Sequence, residues 1–187
     1  MILISLLINW ISFIRINILL FLISANCNAQ SQNKSLSKLG ITFIGLHYSF
    51  EKQVDFNKSL LLSTELSYDF YKKGGLSGDE SGWGLTPLLF TEPRWYYNLI
   101  ERQKNNRKTV FNAANYLGVI IGYRFRPIVN ENIINEGNFF IVPNIGFQRT
   151  IGNKISIDPK LGYAFLLRGT GESSNSVFLD LRVSFIL

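Results

Sequence analysis

From residue 40 onward, apolar side chains recur at every second position in segments of about a dozen residues, the period of a β-strand with two unlike faces. The C-terminal segment shows it most plainly. Val177, Leu179, Leu181, Val183, Phe185 and Leu187 alternate with Phe178, Asp180, Arg182 and Ser184. Six earlier segments carry the same pattern, at about 40–52, 59–71, 85–98, 113–126, 138–149 and 154–167. In the second, Leu60, Leu62, Leu66, Tyr68 and Phe70 oppose Ser63, Glu65, Ser67 and Asp69. Pro87 and Pro93 interrupt the third, where each removes a ladder donor and predicts a bulge or kink. Glycine-rich 72–84 is a loop, Ile151-Gly152-Asn153-Lys154 is a tight turn, and 99–112 is a basic link that opens with a helical turn.

One wholly apolar face against one charged face predicts lipid outside and a polar lumen inside. The expected fold is all-β: an antiparallel transmembrane β-barrel of about eight strands, placed in a bacterial outer membrane. The eighth strand comes from Gln30–Lys38, from a split around Pro87 and Pro93, or from Ile128–Ile134. With a periplasmic C-terminus, 72–84, 127–137 and 168–176 are external, and 53–58 and 99–112 periplasmic. A soluble β-sandwich or lipocalin-like binding protein is the alternative fold. Residues 1–29 read as a signal peptide, with Arg15, an apolar run and a small-residue site at Cys27-Asn28-Ala29. Residues 30–187 are the barrel domain. Cys27 is the one cysteine, so cleavage after Ala29 leaves no disulfide.

The net charge of +6 raises the question of nucleic acid, but an exported chain without a concentrated basic helix argues against it. The inward list is charged: Glu51, Glu65, Asp69, Glu92, Arg94, Arg124, Arg126, Asp158, Lys160, Asp180 and Arg182. Buried charges must pair, so the expected interior is plugged by salt bridges, with a narrow pore as the alternative. Arg94 is expected to meet Glu65 or Asp69. Trp95, Tyr97, Tyr123 and Phe185 are assigned to the membrane interface. His47, Ser49 and Glu51 share one face and are weak catalytic candidates for a lipid-modifying barrel enzyme. They sit about 7 Å apart along the strand, without a Gly-x-Ser-x-Gly elbow, and a structural role outweighs catalysis. With one histidine, no metal site is predicted, and no cofactor is expected.

The run Thr91-Glu92-Pro93-Arg94-Trp95-Tyr96-Tyr97-Asn98-Leu99, with Glu101-Arg102 and Asn115-Tyr116-Leu117 after it, resembles a family of small, uncharacterised outer-membrane β-barrel proteins of Bacteroidota. Pro143 to Arg149, then Ile151-Gly152-Asn153, is similar to the family's strand end and turn. The Asn28-Ala29-Gln30 junction is similar to cleavage sites of that phylum. The resemblance implies outer-membrane residence and no activity. The partners it implies are outer-membrane lipid and lipopolysaccharide and the barrel assembly and export machinery. The basic link 99–112 is a candidate periplasmic contact. The expected role is structural or accessory, in the cell envelope.

Overall fold

The computed structural model describes residues 35–73, 80–131, 137–167 and 173–187; the expected signal peptide lies outside them. The strands are β1 (Ser35–Ile41), β2 (Gly45–Asp55), β3 (Lys58–Lys73), β4 (Glu80–Trp95), β5 (Asn115–Arg124), β6 (Val129–Glu131), β7 (Asn138–Phe147), β8 (Arg149–Ile151), β9 (Ile155–Leu167) and β10 (Ser173–Ile186), with one short helix, α1 (Leu99–Lys104). The predicted first strand divides at 42–44. Its N-terminal part belongs to β1, which overlaps one of the segments proposed for the missing strand. Ile128–Ile134 supplies β6, which pairs with β4 through Trp83, Gly84 and Leu85.

All pairings are antiparallel and form one ten-stranded sheet. Its order is β10-β1-β2-β3-β4-β5-β7-β9-β8, and β10 also pairs with β9. The pairing therefore returns on itself, but unevenly. The β9–β10 ladder runs from Ser173↔Leu167 to Phe185↔Ile155, whereas β1 meets β10 only from Lys38↔Ile186 to Ile41↔Val183. Two ladders are interrupted without a change of register, β4–β5 at Pro93 and β7–β9 at Pro143. Each proline lacks the N–H that a ladder needs.

The sheet does not close into a barrel round one axis, and this corrects the expected eight-stranded transmembrane barrel to a ten-stranded sheet. The short seam, the gap at Pro143 and the added β8 are departures from the expected design, whereas the interruption at Pro93 and a strand within Ile128–Ile134 fall where they were expected. The inside and outside assigned to its loops are withdrawn with it. No described helix is long and apolar enough to cross a membrane.

The interior is filled. An apolar cluster of Leu61, Phe90, Ile120, Phe140, Val142 and Ala164 lies at one level, with Leu88, Leu166 and Phe178 against it. At one end Tyr96, Leu99, Ala114 and Tyr116 form a second cluster, under α1 and the link after it. Full burial of side chains of this size stabilises by roughly 1.5–3 kcal/mol each. Gly146 gives Tyr116 its place, since a Cβ there would stand 2.5 Å from the tyrosine ring. Gly152, at φ +58°, turns the chain from β8 into β9, a backbone conformation that glycine adopts without steric cost.

Candidate functional site

Strand alternation puts two unlike surfaces on the sheet, and each is a candidate site. The inner one holds the charges. Glu51 on β2 is fully buried and accepts four hydrogen bonds. Lys38 Nζ reaches Oε2 at 2.8 Å, while Ser59 Oγ (2.7 Å), Tyr96 OH (2.6 Å) and Asn112 Nδ2 (2.7 Å) reach Oε1. Burial pushes the Glu51 carboxyl up, but Lys38 and Arg94 outweigh it and bring it down to about 2. Lys38 also donates to Gln148 Oε1 at 2.8 Å, and Arg94 Nη1 to the same oxygen at 3.1 Å.

Beside this group Arg94 Nη2 bridges Glu92 (2.6 Å) and Asp158 (2.9 Å). Lys160 meets Glu92 at 3.1 Å, and Tyr116 OH donates to Asp158 at 2.6 Å. The guanidinium of Arg94 lies 4.3 Å from the Tyr116 ring centroid, a cation–π contact. Burial opposes ionisation of Glu92 and Asp158, yet Arg94 and Lys160 hold both carboxyls below their usual range. Burial pushes the Lys160 ammonium down.

A third group centres on Arg182, which donates to Asp180 at 2.7 Å and Glu65 at 3.0 Å and faces the Phe90 ring at 4.8 Å. Burial raises the Glu65 carboxyl in spite of Arg182. Asp69 pairs with Arg124 and accepts from Thr86 at 2.5 Å. Arg126 does not join; it is exposed beyond the end of β5. Arg94 meets Asp158 on β9 and Glu92 on its own strand, in place of the expected Glu65 or Asp69.

His47, Ser49 and Glu51 are all buried on the inner face, but no bond among the described residues joins them. His47 Nε2 lies 3.0 Å from Ser184 Oγ on β10. Burial, then Arg182, Lys160 and Lys38, lower its pKa to about 3, so the ring is neutral at neutral pH. No general-base relay is present in this arrangement. Among the described residues, Glu51, Glu92, Arg94, Asp158 and Lys160 are buried at the level between the two apolar clusters.

Lys38, Tyr96, Tyr116, Asn112, Gln148 and Ser184 are members of the network that the sequence list omits. Tyr96 and Gln148 share the parity of charged or polar neighbours, which is a usable signal. Asn112 sits in an irregular link with a positive φ of 59°, where no periodicity applies.

The outer surface is apolar and exposed along every long strand, for example at Leu46, Leu60, Leu117, Ile121, Ile145, Leu161, Phe165 and Leu179. Trp95, Tyr97 and Phe185 belong to it, each between two-fifths and one-half exposed, and Tyr123 packs edge-on against Phe125 and Phe139. Contiguous apolar surface of this extent marks a place of interaction. It is not flat. A groove of about 620 Å³ crosses β10, β9 and β7, from Phe43 in the β1–β2 turn to Tyr97 and to Asn115 at the start of β5. Ile145, Phe147, Pro159, Leu161, Leu179 and Leu181 line it. The volume lies in the range of small-molecule sites.

No family model matches the chain, and neither a curated protein nor a solved structure does. The resemblance to small outer-membrane proteins of Bacteroidota is therefore withdrawn. Outer-membrane residence, a porin-like character, the envelope role and the partners that followed from them are withdrawn as well: outer-membrane lipid, lipopolysaccharide, the assembly and export machinery, and a periplasmic contact through 99–112. What stands is a largely β-sheet domain with a buried polar and charged network, which fits a binding fold.

Proposed function

We propose that this chain is a binding domain for an apolar ligand, taken up in the groove across β7, β9 and β10. One observation carries the reading. The described surface holds a concave site of about 620 Å³ whose walls are aromatic and branched aliphatic side chains. The inner network supports the groove from behind rather than performing chemistry. Lys160 and Asp180, which border the groove, make side-chain bonds to Glu92 and Arg182 of the inner network. The floor is thereby tied to β4 and held rigid, and a rigid floor lowers the entropic cost of binding.

The test is titration with the uncharged fluorescent probe N-phenyl-1-naphthylamine. Saturable binding at one site per chain is expected. Leu161→Glu places a charge in the groove wall and abolishes it, while Leu60→Glu, on the outer face of β3, leaves it unchanged. Equal loss in both variants, or unsaturable uptake by the wild type, refutes a defined site.

A further inference from the structure

We propose that the ligand of this groove is a single-chain anionic amphiphile, its hydrocarbon chain lying along Phe147 and Leu161 and its head meeting Arg149, Arg102 and Arg107. The inference rests on the groove being the binding site, and adds the class of ligand.

The groove ends at a concentration of positive charge. Asn115, one of its lining residues, accepts a hydrogen bond from Arg149 Nη2 at 2.6 Å. The same guanidinium stands 5.1 Å from the ring of Phe147, a second lining residue. Arg149 thus touches two walls of the groove at its polar end. Arg102 is fixed nearby by two carbonyls, with Nε donating to Ala113 O at 2.8 Å and Nη2 to Lys108 O at 3.1 Å. Arg107 and Lys108 are exposed on the same link, and Lys108 is tied to the Gly152 carbonyl.

Charge is uncompensated there. Among the described residues, Arg102, Arg107, Lys108 and Arg149 form no ion pair, although Glu101 lies exposed on α1 beside them. This contrasts with the interior, where Lys38, Arg94, Lys160 and Arg182 each hold a carboxylate. Burial first, then repulsion from Arg102 and Arg107, lowers the Arg149 pKa, so this end of the molecule favours an added negative charge. Guanidinium groups present paired N–H donors that match phosphate or carboxylate oxygens. An apolar channel leading to such a cluster selects a ligand with a hydrocarbon chain at one end and an anion at the other.

The test is isothermal calorimetry of the full chain with three probes: dodecyl phosphate below its micelle concentration, uncharged dodecanol, and inorganic phosphate. Dodecyl phosphate is expected to bind at least tenfold more tightly than dodecanol. Arg149→Gln should erase that advantage, so that dodecyl phosphate binds the variant no more tightly than dodecanol binds the same variant. Arg107→Gln, at an exposed position of the link, should reduce the advantage in part. Arg126→Gln, at the opposite end, controls for net charge and should leave it intact. Equal affinity for the two chain probes, or equal loss in the Arg126 variant, overturns the anionic head while the apolar groove stands. Inorganic phosphate binding as tightly as dodecyl phosphate overturns the coupling of head to chain. No binding of dodecanol or dodecyl phosphate overturns the groove reading together with this one.

Discussion

Replacing Glu51 by glutamine removes one oxygen's charge at the best-connected atom pair in the molecule. The wild-type carboxylate answers four donors from β1, β3, the end of β4 and the link before β5. An amide has one acceptor oxygen. Whichever way the new side chain turns, its NH₂ meets a donor-only group: the Lys38 ammonium on one side, or Asn112 Nδ2 on the other. Two independent routes give the cost. The carboxyl lies at about 2 against an ordinary 4.5, which converts to about 3 kcal/mol. Breaking a buried ion pair by removing one partner costs about 3–5 kcal/mol. A loss of about 3–4 kcal/mol at pH 7 is therefore expected, a large part of a typical domain's stability. Urea unfolding followed by tryptophan emission measures it. The pH dependence carries a further check. A carboxyl with a depressed folded pKa stabilises above its unfolded value and ceases to as pH falls through the folded one. The gap between wild type and Glu51→Gln should therefore close between pH 4.5 and about 2. A loss below about 1 kcal/mol, or a gap that pH leaves unchanged, refutes the central role given to Glu51.

Two more outcomes are expected. His47 titrates near 3 in the folded chain against 6.5 unfolded, so the unfolded state takes up the proton first. Stability present above pH 6.5 should fall by up to about 1.4 kcal/mol per unit toward pH 3, and His47→Gln should remove that slope; NMR titration of the ring near pH 6.5 would refute it. Gly146→Ala sets a methyl group against Tyr116 at 2.5 Å, and overpacking of this kind costs about 1–3 kcal/mol. Thermal unfolding reads it, and an unchanged midpoint shows that Tyr116 moves aside freely.

The strands were largely legible because a sheet face writes itself as period two. Leu60, Tyr68 and Phe70 fall on one face of β3, and Glu65 and Ser67 on the other, in sequence and structure alike. The short strands were harder. β1 is seven residues long, and its inner face mixes Leu36 with Lys38, which breaks the apolar rhythm. Alternation reports that a sheet has two faces; it is silent on how the sheet curls and on what lies beyond its apolar side. The transmembrane barrel came from treating those two unknowns as settled. The charged residues of the interior were readable as a class, but their partners were not. Arg94 and Asp158 stand on β4 and β9, which share no ladder, so only the assembled sheet brings them together. The groove was invisible for the same reason: Phe43, Asn115, Ile145, Leu161 and Leu179 belong to different segments, and nothing local marks them as neighbours.

The brief seam between β1 and β10 governs the order in which this molecule can be made. It joins the first described strand to the last, so its closure demands the largest loop in the topology and comes late on entropic grounds. Until then β1 and β10 each keep a bare row of backbone donors and acceptors along the seam, which invites strands from other chains. High contact order of this kind slows folding. A newly synthesised chain is thus most exposed to mispairing in the interval before β1 and β10 meet, and the few residue pairs from Lys38↔Ile186 to Ile41↔Val183 end that interval.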